Sequence, residues 1–593
     1  MRPTRLRTVN PTALILAATL PTLLAYSLSP STTLLNQLLA LGLWGGVLLT
    51  QQVQTSQAGW GLLPRSAAGL LAMALAVVVA VALLGVSLTA LALLPALALL
   101  TSGLLVLAGA RAGASGQGLT LGRAFALGLL LAGLGGALVS LVQVFLPDWT
   151  DAAWIARSGI AGRAVGNIRQ PNHLASLLLW GCIAAVWLSE SWGRERPALR
   201  ALLPLLLWLL LFCVVLSASR TGMWFGVALL ALWGVLDAAL SRQARLSLLI
   251  TPLLTYASWQ FMHWWSAASG HAFGAEARLA EGAGSPSRVA ILKNSWALLQ
   301  QHPWRGVGWG DFNFAWTLTP FPDRPVAFFD HCHNLVMQVL VEMGWPLGLL
   351  MLGGLAWLLW LALRAARQAR GAVALQRRCA LMVVLMIGLH SMLEYPLWYL
   401  YFLLPTAFAL GLALAAPEGQ DLTPSEQDLT PSVMTPAAGT ALRQHLLQVA
   451  GALMIAGAAF AGWDYLHIVD IYRSGPRMAP LDERIARGQR SLLFSASADY
   501  AAATVPAPSR ATLDAARRTG HNLIDVRLMI AWAQSLHAVG ETDKARYLVQ
   551  RLREFHSTAA EEWLDECVNW PAHALRPFQC DAPQRSYRYE DFR

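Results

Sequence analysis

Apolar runs far longer than a soluble core requires recur along this 593-residue chain. They fall at roughly 11–29, 33–50, 67–86, 88–109, 122–146, 171–189, 201–217, 222–240, 246–263, 333–363, 379–396, 398–416 and 444–463. A helix rising 1.5 Å per residue needs about 20 residues to cross a ~30 Å hydrocarbon layer. The pattern therefore predicts an all-α polytopic membrane protein with about thirteen transmembrane helices. Charged residues make up 13% of the chain, about half the ~25% usual in soluble domains. The first run, from Pro11, lacks a small-residue cleavage site and is followed at once by a second, so no cleavable signal peptide is expected.

Arginine placement orients the spans. Arg2, Arg5 and Arg7 precede the first one. Counting from a cytoplasmic start, the loops carrying Arg65, Arg111 and Arg123, Arg194, Arg196 and Arg200, Arg242 and Arg245, and Arg364, Arg367, Arg370, Arg377 and Arg378 all face the cytoplasm. Basic residues confined to short loops are explained by topology, so the net charge of +10 gives no reason to expect nucleic acid. The opposite side, the periplasm of a bacterium, receives the loop 147–170, the large loop 264–332 and the region from Asp464 onward.

These assignments divide the chain into a transmembrane catalytic domain over 1–416, a cytoplasmic connector over 417–443, an additional span over 444–463 and a periplasmic helical domain over 464–593. The connector repeats QDLTPS at Gln420–Ser425 and Gln427–Ser432, a turn-rich composition suited to a flexible spacer. In the tail, Leu528, Trp532, Leu536, Ala545, Leu548, Leu552 and Phe555 are spaced as two amphipathic helices broken at Gly540. The pair resembles one tetratricopeptide (TPR) unit. One unit cannot bury its own face, so further helices are expected between 476 and 518. Cys182, Cys213 and Cys379 fall in apolar runs and read as packing residues, whereas Cys567 and Cys580 could pair if the tail lies in an oxidising compartment.

Five polar constellations sit at span edges on the arginine-poor side. GNIRQPNHLA places Arg169, Gln170, Asn172 and His173 at a helix start, with Pro171 suited to the first turn. SASRTGMW sets Arg220 beside a helix start, where an arginine suits a phosphate. In the large loop, Arg288, Ile291, Leu292, Trp296 and Leu299 fit an amphipathic surface helix, followed by the glycine-rich turn GVGWGDF. FFDHCHN supplies Asp330, His331 and His333 before a helix on which Asn334, Gln338 and Glu342 share a face. Glu342 is too costly to face lipid. Two histidines at HxH spacing lack an evident third metal ligand, so acid–base use of one histidine is the stronger reading. Finally, HSMLEYPLWYLY puts Glu394 and Tyr395 at a span end, with Pro396 ending the helix and Trp398, Tyr399 and Tyr401 suited to an aromatic belt. Span interiors carry almost no charge, which disfavours a proton-coupled carrier.

The runs RQPNHLAS, SRTG, HNLVMQ…EMG and HSMLEYPLWY, in that order, resemble the O-antigen ligase and polymerase superfamily. More closely, they are similar to the bacterial O-oligosaccharyltransferases of the PglL/PilO type. The resemblance covers roughly 150–416; the first five spans and the connector carry no motif. It implies transfer of a glycan en bloc from undecaprenyl pyrophosphate to a serine or threonine hydroxyl of a periplasmic protein such as pilin. The reaction would occur at the periplasmic face of the bacterial inner membrane, without metal, nucleotide or other cofactor. Carried onto this chain, the resemblance makes His333 the catalytic histidine, with His331 as its alternative. It assigns the pyrophosphate to Arg220 and Arg288, and donor or acceptor contacts to Gln170 and Tyr395. The residues themselves add Arg169 as a further contact to the donor's anionic group, and Asn172 and His173 as polar contacts at the same span edge. Asp330 or Glu394 would orient the histidine ring. Direct attack on the anomeric carbon predicts inversion. The partners would be the lipid-linked glycan, the acceptor protein and membrane lipids. An O-antigen ligase acting on lipid A-core shares donor and chemistry, and EYPLWY and the soluble tail argue against it. A glycan polymerase, a lipid-linked sugar transporter and a scaffold that recruits partners through its helical tail are the other readings.

Overall fold

A computed structural model describes every residue except 1–9, 51–61, 64, 85–89, 194, 277–285, 323, 326, 417–437, 476–477, 569 and 571–575. The described elements are helical. In chain order they are α1 (Pro11–Leu23), α2 (Leu34–Leu49), α3 (Ser66–Leu84), α4 (Ala90–Ala114), α5 (Gly118–Phe145), α6 (Pro171–Trp192), α7 (Pro197–Leu216) and α8 (Val227–Leu236, preceded by a π-helical turn at Thr221–Gly226). Then follow α9 (Arg242–Leu249), α10 (Thr251–Ser269), α11 (Pro286–Gln301), α12 (Phe312–Leu318), α13 (Leu335–Gln368), α14 (Gly371–Ser391), α15 (Leu400–Leu414) and α16 (Ala438–Tyr472). The tail holds α17 (Leu481–Gly488), α18 (Ser495–Thr504), α19 (Arg510–Gly520), α20 (Val526–Ala538), α21 (Thr542–Arg553) and α22 (Thr558–Leu564).

The protein is an all-α polytopic membrane protein. Among the described residues eight helices are long and apolar enough to cross a membrane (α3–α7, α13, α14 and α16), and α1, α2, α8 with its π turn, and α15 are shorter apolar helices. The span expected at 246–263 is instead two helices, α9 and α10, split at Ile250. The span expected at 444–463 begins at Ala438 and runs to Tyr472, so it takes the end of the expected connector; the QDLTPS repeats lie outside the described residues.

Two compact units form. The first comprises Met1–Ala74, Ala98–Ala283 and Gly353–Phe460. Its centre is α6, buried from His173 to Ser189. Gly181 on α6 comes within 3.3 Å of Gly133 on α5, counted from where a Cβ would stand, a close approach that only small residues allow. Trp180 fills the other side of α6 and donates from Nε1 to the Val383 carbonyl on α14 at 3.0 Å, so its one polar atom is satisfied inside the apolar core.

The second unit comprises Leu75–Leu97, Gly284–Leu352 and Ala461–Arg593. The tail from Ala461 onward thus falls in one unit with the 284–352 segment. Much of the expected loop 264–332 is helical (α11 and α12), and its Phe312, Phe314 and Trp316 share one core with Trp532, Leu548, Phe555 and Phe592 of the tail. Amphipathic helices need a second apolar surface, and here the 284–352 segment supplies part of it. The helices expected between 476 and 518 are present as α17, α18 and most of α19, and the α20–α21 pair turns at Gly540. Asp311, 1% exposed, joins the two parts: it accepts from His521 at 2.6 Å and from Arg593 at 2.8 Å. Cys567 and Cys580 form a disulfide in the tail.

The expected span 333–363 is α13 with a kink at Gly344, where φ is 69° and ψ 178°. A side chain is essentially excluded at that conformation, and a Cβ there would stand 2.6 Å from the Trp304 backbone. The kink frees the last carbonyls of the first helical segment. Val341 and Glu342 carbonyls then accept from the N–H groups of Val307 and Gly308 at 2.8 and 3.2 Å, which gives the GVGWGDF run a docking role. Gly344→Ala is expected to cost about 2 kcal/mol or more, read as a lower thermal unfolding midpoint; an unchanged midpoint would show that the kink relaxes.

Candidate active site

In the second unit the FFDHCHN run is fastened at several points. Asn334 caps α13, its Oδ1 accepting from the Met337 N–H at 3.0 Å. Gln338 accepts from the Cys332 N–H at 2.8 Å and donates to Glu342 Oε1 at 2.9 Å. Glu342 Oε2 accepts from the Gly310 N–H at 3.2 Å. The expected polar face of α13 is thus a hydrogen-bonded ladder tying the histidine loop to the glycine-rich turn.

His333 itself adopts φ 55°, in the left-handed region unusual for a residue with a side chain. Such conformations persist where the surroundings hold them, and they concentrate at functional sites. The Phe329 ring meets the imidazole edge-on at 5.2 Å. Desolvation, reinforced by the nearby His333, pushes the His331 imidazole down to about 3. Desolvation holds the Asp330 carboxyl above its usual range, and His333 opposes that shift. Burial pushes the Cys332 thiol up to about 12, so it does not supply a thiolate at neutral pH. Arg288 lies half-buried in the first turn of α11. Ile291 and Leu299 form the expected apolar face with Leu298, whereas Leu292 is only half-buried and Trp296 is exposed, edge-on to Trp345 at 6.1 Å.

In the first unit, three of the sequence constellations meet at Asn172. Its Nδ2 donates to Glu394 Oε1 at 2.8 Å, and its Oδ1 accepts from Ser219 Oγ at 2.7 Å. One amide side chain therefore ties the start of α6, the SRTG turn and the EYPLWY run. Gln170 caps α6, accepting from the His173 N–H at 2.7 Å, with Pro171 in the first turn as expected. His173 is 1% exposed and enclosed by the rings of His390, Tyr395, Tyr399, Tyr401 and Phe402. Neither of its ring nitrogens finds a hydrogen-bond partner among the described residues. Tyr395 stacks on Tyr399 at 6.2 Å. The α14 helix ends at Ser391, ahead of Pro396, which opens a short 3₁₀ turn. Arg169 donates to the Ala25, Thr32 and Asn167 carbonyls, so the contact expected of it with an anion competes with three backbone bonds. Arg220 stands half-buried immediately before the π-helical turn, a widened geometry that recurs at functional sites.

Sequence reasoning missed the residue that shapes this edge from below. Gln143 of α5 donates to the Ala156 carbonyl at 2.7 Å and accepts from the Val165 and Gly166 N–H groups at 2.9 Å, pinning the 147–170 loop. A glutamine inside an apolar run was the available signal. It also passed over His390, whose Nδ1 lies 2.5 Å from Ser176 Oγ. Among the described residues no three His, Cys, Asp or Glu side chains are grouped to hold a metal ion.

Residues 164–188, which contain this start of α6, match the protein glycosylation ligase family. The chain is similar to the PglL-type branch of the O-antigen ligase superfamily. Residues 205–352 match the O-antigen ligase family, and residues 379–567 match the C-terminal region of the virulence factor membrane-bound polymerase family. A general O-oligosaccharyltransferase of Acinetobacter baylyi (strain ATCC 33305 / BD413 / ADP1) is 26% identical over 271 residues, which are 44% of this chain and 45% of that protein. The chain thus matches less than half the length of this relative. The resemblance drawn from the four motif runs is borne out at the level of the family branch.

Proposed function

We propose that the protein is an O-oligosaccharyltransferase that moves a glycan en bloc from undecaprenyl pyrophosphate to a serine or threonine hydroxyl of a periplasmic protein, pilin being the model acceptor. The observation that carries this reading is the protein glycosylation ligase match at 164–188, on the segment whose Asn172 gathers Glu394 and Ser219. His333 acts as general base on the hydroxyl. A desolvated imidazole held near 3 is a weak base, which favours His333 over His331 for this role. Asp330, electrostatically coupled to His333, orients the ring. Glu394, bonded to Asn172, holds the α6 start. Arg220 and Arg288 neutralise the pyrophosphate leaving group, so no metal is required. Gln170, His173 and Tyr395 shape the donor or acceptor surface from behind. Single displacement inverts the anomeric centre.

The O-antigen ligase match at 205–352 favours a second reading, in which lipid A-core is the acceptor. Purified protein given undecaprenyl-pyrophosphate glycan with pilin and, separately, with lipid A-core decides between them. Glycosylated pilin is the expected product. Product on lipid A-core alone would move the protein to the ligase reading, and a retained anomeric configuration would remove single displacement.

The Cys567–Cys580 disulfide supports a periplasmic tail, because such bonds persist in oxidising compartments. Both thiols are expected to resist alkylation in intact cells until reductant is added. Reduction is expected to lower the tail's stability by about 2–4 kcal/mol, seen as an earlier unfolding transition. Free thiols at both positions in unreduced cells would argue against this orientation.

A further inference from the structure

The first unit contains a cavity of about 750 Å³ at the helix ends that the arginine pattern assigns to the cytoplasm. Arg65, Arg364, Arg370 and Arg377 line it, and among the described residues no Asp or Glu does. Among the described residues none of these four arginines pairs with a carboxylate, whereas the adjacent Arg378 is matched by Asp237 at 2.8 Å. Arg377 is 5% exposed. Its guanidinium donates to the Ala365 and Ala415 carbonyls at 3.3 and 2.5 Å, which orient it without cancelling its charge. Its Nε is buried and has no acceptor among the described residues. A buried cation with no counter-charge is costly, so the arrangement fits an anion brought in from outside. The walls are of the opposite character. Leu119 at the start of α5 and Val373 at the start of α14 line the cavity and are 36% and 41% exposed, and both helices continue as apolar spans.

We propose that this cavity is a binding site for an anionic glycerophospholipid of the cytoplasmic leaflet, of the phosphatidylglycerol or cardiolipin type. The arginines take the phosphate groups and the acyl chains lie along α5 and α14. Basic pockets between spans on the cytoplasmic side suit such headgroups, and guanidinium forks match phosphate oxygens. A soluble phosphate would meet the same arginines but would leave Leu119 and Val373 uncovered. The site lies among residues given no part in the transfer reaction and does not depend on that reading.

The test uses the full chain, delipidated in detergent, with Arg364→Gln/Arg370→Gln beside wild type. Retained lipid is read by native mass spectrometry, and thermal unfolding is followed in cardiolipin, phosphatidylglycerol, phosphatidylcholine or inorganic pyrophosphate. Wild type is expected to retain the anionic lipids and to be stabilised by them, with phosphatidylcholine giving neither effect. Loss of two arginines is expected to weaken anionic-lipid binding roughly 30-fold, while the unfolding midpoint in phosphatidylcholine stays at the wild-type value. Equal binding of phosphatidylcholine, or undiminished lipid retention by the variant, would overturn the proposal. So would pyrophosphate reproducing the whole stabilisation, since the site would then serve a soluble anion. Should the double variant fail to fold, Arg370→Gln alone must weaken binding and Arg364→Lys/Arg370→Lys must keep it.

Discussion

His333→Ala is expected to lower glycan transfer by about 10²–10⁴-fold, the range a positioned general base contributes. A serine hydroxyl is a weak nucleophile, so in the proposed mechanism deprotonation is where this side chain acts. The variant should still insert and melt near the wild-type temperature, because Asn334 still caps α13 and Gln338 still holds the Cys332 N–H. His333→Gln, which keeps a polar side chain but no base, should fall as far. His331→Ala should cost much less, since its imidazole is held near 3 and offers little basicity in any case. A dead His331→Ala beside an active His333→Ala would exchange the two roles. Equal loss of stability in the His333 variants would reduce the residue to a structural part of the loop.

The sequence was most informative where one side chain or one period decides the outcome locally. Apolar runs announced the spans, because a helix that must satisfy its own backbone in lipid has little freedom of length. Pro171 and Gln170 announced the start of α6, and Gly540 announced the turn between α20 and α21, because caps and turns are short-range chemistry. The spacing of Gln338 and Glu342 put them on one face, yet only the structure shows Gly310 and Cys332 as their partners. What stayed hidden depends on contacts between distant parts of the chain. Nothing local in FNFAWTL states that Phe314 stacks on His521 at 4.1 Å, so the large loop and the tail looked like separate pieces. Arg324, in an apparently irregular FPDRPV stretch, gave no signal at all.

Arg324 nevertheless carries the second large effect. Its side chain is fully buried in the second unit. Nε donates to Glu554 Oε2 at 3.0 Å, one Nη donates to the Trp316 carbonyl at 2.9 Å, and the other donates to the Thr319 carbonyl. Its plane lies 4.6 Å from the centre of the Phe555 ring and 4.9 Å from that of Trp316. Burial pushes the guanidinium down to about 10, with Glu554 opposing, so it stays cationic at neutral pH. Arg324→Leu keeps the volume but leaves Glu554 short of one partner and two carbonyls short of donors. Breaking a buried pair from one side costs about 3–5 kcal/mol, which for a unit of this size lowers the unfolding midpoint by roughly 6–20 °C. The damage should reach the reaction as well. Trp316 packs edge-on to Phe329 at 5.8 Å, and Phe329 packs edge-on to His333 at 5.2 Å, so the arginine fixes the floor on which the imidazole stands. A base displaced by about 1 Å can lose ~10²-fold in rate. Transfer by Arg324→Leu should therefore fall even at temperatures where the variant is fully folded. Arg324→Lys, which retains the charge but not the fork, should recover stability only in part. A wild-type midpoint in Arg324→Leu would mean that the ring stack alone holds the loop. A lowered midpoint with full activity when folded would separate the stability of the second unit from the placement of His333.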